Sequence, residues 1–123
     1  MNEPSYVEDI LIDNYKHILL QIKERLPQTK IYIMSYYPVN SNKKSGLNEE
    51  IKKAMFATRT NKAINKANLR LETLAKELSC GYIDVHSILL DNIKNLDEKY
   101  TLEGIHLKPN AYEVVLNTLI KYF

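Results

Sequence analysis

Near the end of this 123-residue chain a glutamate and a histidine stand three positions apart with a glycine between them, in Tyr100-Thr101-Leu102-Glu103-Gly104-Ile105-His106-Leu107-Lys108-Pro109. A histidine that takes a proton from a reacting group works best with a carboxylate on its other ring nitrogen, which fixes the tautomer and orients the ring. A tight turn through Gly104 can bring that carboxylate in locally. Glu103 and His106 are therefore a candidate orienter and general base, with Asp97 as the alternative carboxylate. The same spacing also arises between ordinary surface residues, so the flanking sequence has to carry the assignment.

The elements that must hold this pair are legible as patterns. Ser5-Tyr6-Val7-Glu8 has the form of a capping box with Ser5 as N-cap. The spacing of Ile10, Leu11, Tyr15, Ile18, Leu19, Ile22 and Leu26 predicts one apolar face on a helix that Pro27 ends. Ile31 to Ser35 reads as a short strand buried on both faces, as in a parallel sheet, with Ile31 and Ile33 on one face and Tyr32 and Met34 on the other. A second helix is expected from Thr60 to Ser79, with Ile64, Ala67, Leu69, Leu71, Leu74, Ala75 and Leu78 as its stripe and Gly81 as its C-cap residue. Tyr82 to Val85 is the next strand, with Asp84 in a structural, capping role. A short helical stretch follows at 88–93. The last helix runs from Pro109 to Lys121, its proline near the first helical position where the missing N–H is harmless. Between the first strand and the second helix, residues 36–56 read as one long connection, rich in Asn, Ser and Pro. Connections of that length are commonly functional or mobile. In an open α/β sheet ligands bind beyond the carboxyl ends of the strands, which makes Tyr37 a candidate substrate contact.

Several blocks together resemble the SGNH (GDSL-type) hydrolase and esterase family. The family's last block reads Thr-x-Asp-Gly-x-His-Leu-Asn, followed by a Gly-Tyr pair opening the final helix. Here Thr101, Gly104, Ile105, His106, Leu107 and Tyr112 match it, while Glu103 replaces the Asp and Ala111 the Gly. The run 26–35 with Pro38-Val39 resembles the family's fourth strand and following loop, and 61–78 with Gly81-Tyr82-Ile83-Asp84-Val85 its long helix and fifth strand. The resemblance implies an α/β fold, a partial doubly wound parallel sheet of flavodoxin-like type that lacks its N-terminal strands. It implies that His106 is the base and Glu103 the orienter of a serine ester hydrolase. The family's Gly-Asp-Ser nucleophile block and Gly-x-Asn-Asp oxyanion block have no counterpart: none of Ser5, Ser35, Ser41, Ser45, Ser79 and Ser87 follows Gly-Asp. The expectation is thus a C-terminal part of such an enzyme, with Met1 at an internal position of the family's pattern. Alone it is expected to be inactive. Its partner is expected to be either the missing N-terminal half, which would restore action on a small-molecule ester, or a second copy paired through strand 31–35. The alternative is a non-catalytic remnant that serves as a binding or self-association module.

Composition narrows the remaining classes. Residues 1–123 fit one domain, and 45% apolar with 26% charged residues describes a globular chain. A formal charge of +2 gives no ground for nucleic-acid binding, and Lys43-Lys44 and Lys52-Lys53 read as solvated faces. Cys80, the single cysteine, excludes an internal disulfide and reads as a small buried hydrophobe. His17 and His86 read as surface or packing residues. No metal-ligand spacing and no phosphate-binding glycine loop occurs, so no metal and no cofactor is expected. With no secretory pattern and no membrane-spanning run, the expected location is cytoplasmic and the expected partners include no membrane.

Overall fold

The computed structural model describes residues 4–123, with side chains from residue 7 onward. Helix α1 (Pro4–Arg25) leads through the Pro27 turn into strand β1 (Tyr32–Met34). Helices α2 (Glu49–Phe56) and α3 (Asn61–Glu77) follow, then strand β2 (Gly81–Ile83). Two single 3₁₀ turns at Ser87–Leu89 and Glu98–Tyr100 lead to helix α4 (Pro109–Ile120). The backbone of α1 begins at Pro4, one residue ahead of the expected Ser5 cap, whose side chain lies outside the described residues. The expected helical stretch at 88–93 is only the 3₁₀ turn, after which Leu90 and Leu96 bridge across a tight loop.

The two strands pair in parallel, with Tyr32 opposite Gly81, Ile33 opposite Tyr82 and Met34 opposite Ile83. Parallel strands bury both faces, and the two cores divide as the alternation demands. Ile33 packs with Ile12 and Leu19 of α1 and with Leu71, Leu74 and Ala75 of α3. On the other face Tyr32 and Met34 lie against a core of Ile83, Val85, Leu89, Leu96, Ala111 and Val115, the last two from α4. The result is an α/β sandwich of helices around a short parallel sheet, as the sequence predicts.

Three expectations need correction. The connection 36–56 is not structureless, because α2 forms inside it. Asn48 caps that helix by accepting from the Ile51 amide at 2.8 Å, Glu49 and Glu50 favour the positive end of the helix dipole, and Phe56 is buried. The apolar face expected on α1 is only partly covered. Ile12 and Leu19 are buried, whereas Ile10, Leu11, Ile18 and Leu26 are exposed, because a two-stranded sheet is too narrow to cover the whole stripe. Leu69 is likewise exposed, since helical periodicity turns it away from Ala67, Leu71 and Leu74.

The third correction concerns the end of α3. The chain reverses at Ser79, with φ of +56°, so the left-handed position belongs to serine and not to Gly81. Gly81 is needed for another reason. A Cβ there would lie 2.4 Å from the Tyr32 ring, which covers it on the neighbouring strand. Ser79→Gly is expected to raise stability by about 0.5–1 kcal/mol, by relieving the left-handed strain of an L-residue. Gly81→Ala is expected to lower it by about 1–3 kcal/mol through overpacking. Urea midpoints of the two variants check both signs.

Candidate active site

The turn that carries Glu103 and His106 is built on Thr101. Its hydroxyl is buried, donates to the His106 carbonyl at 2.7 Å and accepts from the Gly104 amide at 2.9 Å. Thr101 and Leu107 close the turn as an antiparallel bridge. Gly104 has φ of +101°, and a Cβ on it would fall 2.1 Å from the Asn40 carbonyl oxygen. No other residue type fits, because the turn sits directly on the chain leaving β1: the Asn40 amide donates to the Gly104 carbonyl at 2.8 Å.

Within this turn Glu103 has both carboxylate oxygens in use. One carboxylate oxygen accepts from the amides of Ile105 at 3.1 Å and His106 at 2.6 Å. The other lies 2.8 Å from the His106 Nδ1 atom. Burial by itself pushes the Glu103 carboxyl up, but the His106 amide, the His106 ring and the Ile105 amide together hold it below the usual carboxylate range. An ionised carboxylate can only accept, so Nδ1 carries the proton and Nε2 of the neutral ring keeps its lone pair. The Glu103 side chain is 19% exposed and that of His106 76%. The imidazole is thus anchored on one side and open to solvent on the other. Among the described residues no hydroxyl or thiol bonds the ring. Asp97, the alternative carboxylate, caps the second 3₁₀ turn by accepting from the Lys99 amide at 3.1 Å.

Sequence reasoning missed what holds the chain beside this turn. Residues 35–40 run on beyond β1 without a strand partner on α3's side, and polar side chains take the partner's role. The Ser35 hydroxyl accepts from the Val85 amide at 2.9 Å. Asn68 accepts from the Tyr36 amide at 2.7 Å and donates to the Tyr36 carbonyl at 3.2 Å. Asn61 does the same for Val39, at 2.9 and 2.8 Å. The two asparagines are seven positions apart on α3, two helical turns, and so share one face. That spacing was the available signal. His86 is buried and its ring nitrogen lies 3.0 Å from the Tyr36 carbonyl, so it is a packing residue as the sequence suggests. Asp84 accepts from the amides of His86 and Ser87 and from the Ser87 hydroxyl, the capping role expected of it.

Beside the turn opens a largely apolar cavity of about 720 Å³, whose walls include Tyr36, Tyr37, Val39, Ile64 and Ile105, the neighbour of His106. Tyr37 is half-buried, with its ring edge-on to Tyr112 at 6.5 Å, and burial followed by the Tyr112 hydroxyl raises its own phenol pKa. A separate, more polar cleft of about 320 Å³ lies at Asp84, His86 and Ser87. Among the described residues no group of His, Cys, Asp and Glu is arranged to hold a metal ion, and no helix is long and apolar enough to cross a membrane.

No family model matches the sequence, and no curated protein matches it significantly. Solved structures do match. A Streptococcus pneumoniae structure described as a candidate platelet activating factor superposes with a TM-score of 0.82 at 23% identity, over 94% of this chain and 51% of that one. A GDSL-like lipase from Bacteroides thetaiotaomicron gives 0.69 at 21% identity, over 94% and 51%. The esterase domain of a zebrafish retrotransposon ORF1 protein gives 0.66 at 14%, over 94% and 58%. The chain has the fold of the GDSL-like hydrolases. It spans about half the length of these structures.

Two measurements check the site's construction. Asn61→Ala leaves the Val39 amide unpaired, while the Val39 carbonyl keeps the Leu96 amide at 3.1 Å, and is expected to lower stability by about 1–3 kcal/mol, with faster exchange of the Val39 amide. The second is a pH titration. Because the folded-state pKa of Glu103 is lowered, its contacts add stability above the unfolded value of roughly 4.3 and lose it as pH falls through the folded value. Nitrogen NMR of the His106 ring is expected to report that step below about pH 4.3, and Glu103→Gln is expected to remove it.

Proposed function

We propose that this chain supplies the general base and its orienting carboxylate to a serine ester hydrolase site whose nucleophile and oxyanion donors come from another polypeptide segment. The observation that carries the reading is the carboxylate-held imidazole, Glu103 to His106 at 2.8 Å, with the ring otherwise open to solvent and its neighbour Ile105 lining an apolar cavity, on a GDSL-like fold. A serine hydroxyl brought to Nε2 would give its proton to His106 and attack an ester carbonyl. The same proton would then pass to the leaving alcohol as the acyl-enzyme forms. Glu103 would hold the ring through both transfers and stabilise the imidazolium. Glutamate serves as well as aspartate in this role, since related triads use either. The substrate class is a small-molecule ester with its apolar part against Tyr37, and the setting is cytoplasmic.

The chain alone is expected to hydrolyse no p-nitrophenyl ester and to take up no fluorophosphonate label. Stoichiometric labelling of any of its own serines would overturn this reading. With a segment carrying Gly-Asp-Ser and Gly-x-Asn-Asp blocks supplied in fusion or in trans, ester hydrolysis is expected to appear. His106→Ala should then lower kcat by about 10²–10⁴-fold. Glu103→Ala should cost less, because the ring remains but is poorly oriented, and Glu103→Asp should match or exceed the parent rate. An active completed protein indifferent to both Glu103 substitutions would exclude Glu103 as orienter. A completed protein that folds but stays inactive would favour a non-catalytic binding module.

A further inference from the structure

The outer edge of β1 has three features in register. The first is its backbone. The Ser35 amide donates to Ile83 and the Gly81 amide to Ile31, so the odd-numbered residues of this strand face β2. Alternation then turns the N–H and C=O groups of Tyr32 and Met34 to the opposite edge, and among the described residues no strand pairs there. The second is the flank of α1. Asp9 bonds to Arg70 of α3 at 2.6 Å, which fixes the side of α1 that faces α3. Helical periodicity turns Ile18, nine positions on from Asp9, away from that side, and Ile18 is 58% exposed. The third is α4 on the other face of the sheet. Tyr112 meets Tyr37 just past the carboxyl end of β1, and Tyr122 and Phe123 meet Tyr32 at its start, with ring centroids 5.9 and 5.6 Å away. The helix therefore runs antiparallel along β1. Its ridge of Tyr112, Leu116 and Ile120, spaced four apart, is exposed, the last two by 54% and 58%.

From this juxtaposition we infer that the β1 edge and the α1 and α4 ridges form one slot for a β-strand that is apolar on both faces and belongs to a polypeptide carrying the remainder of a GDSL-like fold. The inference deepens the reading above by naming where the completing segment docks. Open backbone groups fix the edge of the incoming strand, and an apolar ridge meets each of its faces, which an edge strand or a surface loop could not satisfy. The occupant is argued from size: this chain fits 94% of its own length onto 51% of each of two solved structures, and the remainder of such a structure has no counterpart among the described residues. A strand laid parallel to β1 would end at the cavity lined by Tyr37 and Ile105, beside His106.

The probe is the part of the Streptococcus pneumoniae protein that this chain does not cover, co-expressed with the full chain. A one-to-one complex is expected, with exchange of the Tyr32 and Met34 amides slowed roughly tenfold or more relative to the chain alone. The double variant Ile18→Lys, Leu116→Lys changes only exposed positions. It is expected to melt like the parent yet to bind the probe at least about tenfold more weakly, through the charges placed against an apolar strand. The inference is overturned by absence of a complex, by a complex that leaves both amides unprotected, or by a double variant that binds like the parent. It is also overturned if the chain alone forms a dimer that protects the two amides and that the probe does not displace, since a second copy would then be the occupant. A complex with protected amides but no ester hydrolysis would defeat the proposed function and leave this docking site standing.

Discussion

The need to bond every buried backbone group beyond a very short sheet governs this structure. The parallel ladder extends over only three residue pairs, yet the chain continues inward from β1 through Pro38, Val39 and Asn40, all buried. A buried amide or carbonyl without a partner is costly. Side chains supply what a longer strand would have supplied: Ser35, Asn61 and Asn68 each bond a main-chain group at the carboxyl end of the sheet. Among the described residues no buried side-chain polar atom is left unpaired. The segment that a reading by composition takes for a loose loop is thereby one of the more tightly held parts of the chain.

That rigid segment is the seat of the candidate catalytic turn. Gly104 lies against Asn40 and bonds to it, and Asn40 in turn donates to the Leu96 carbonyl at 3.0 Å. The turn is closed from within by Thr101. Glu103 and His106 therefore project from a scaffold anchored on both sides, although His106 itself is open to solvent. Positioning through packed neighbours is what a base needs if small displacements are not to reduce its efficiency.

The sheet also explains the distribution of apolar surface. Two strands cover one stripe of α1 and one of α4, and each helix carries a second stripe that the described chain does not cover. Scattered apolar residues at a surface are ordinary. Two ridges flanking the same unpaired strand edge are not scattered, and contiguous apolar surface of this kind marks interaction sites.

Much of this protein was determined by local sequence. The periods of α1, α3 and α4, the alternation of Ile33 against Tyr32 and Met34, and the Glu103-Gly104-Ile105-His106 turn follow from residue spacing and short-range sterics, and the structure follows them closely. A turn of four residues brings a carboxylate to its histidine without help from the rest of the chain, which is why that pair was readable. Tertiary structure alone decided where the turn sits, because the contact between Gly104 and Asn40 joins residues 64 positions apart in sequence. It decided that Gly81 answers to the Tyr32 ring across the ladder and that Ser79 takes the left-handed position. It also decided which half of each apolar stripe is covered. Periodicity tells that a helix has an apolar face, but only the width of the sheet beneath it sets how much of that face is buried.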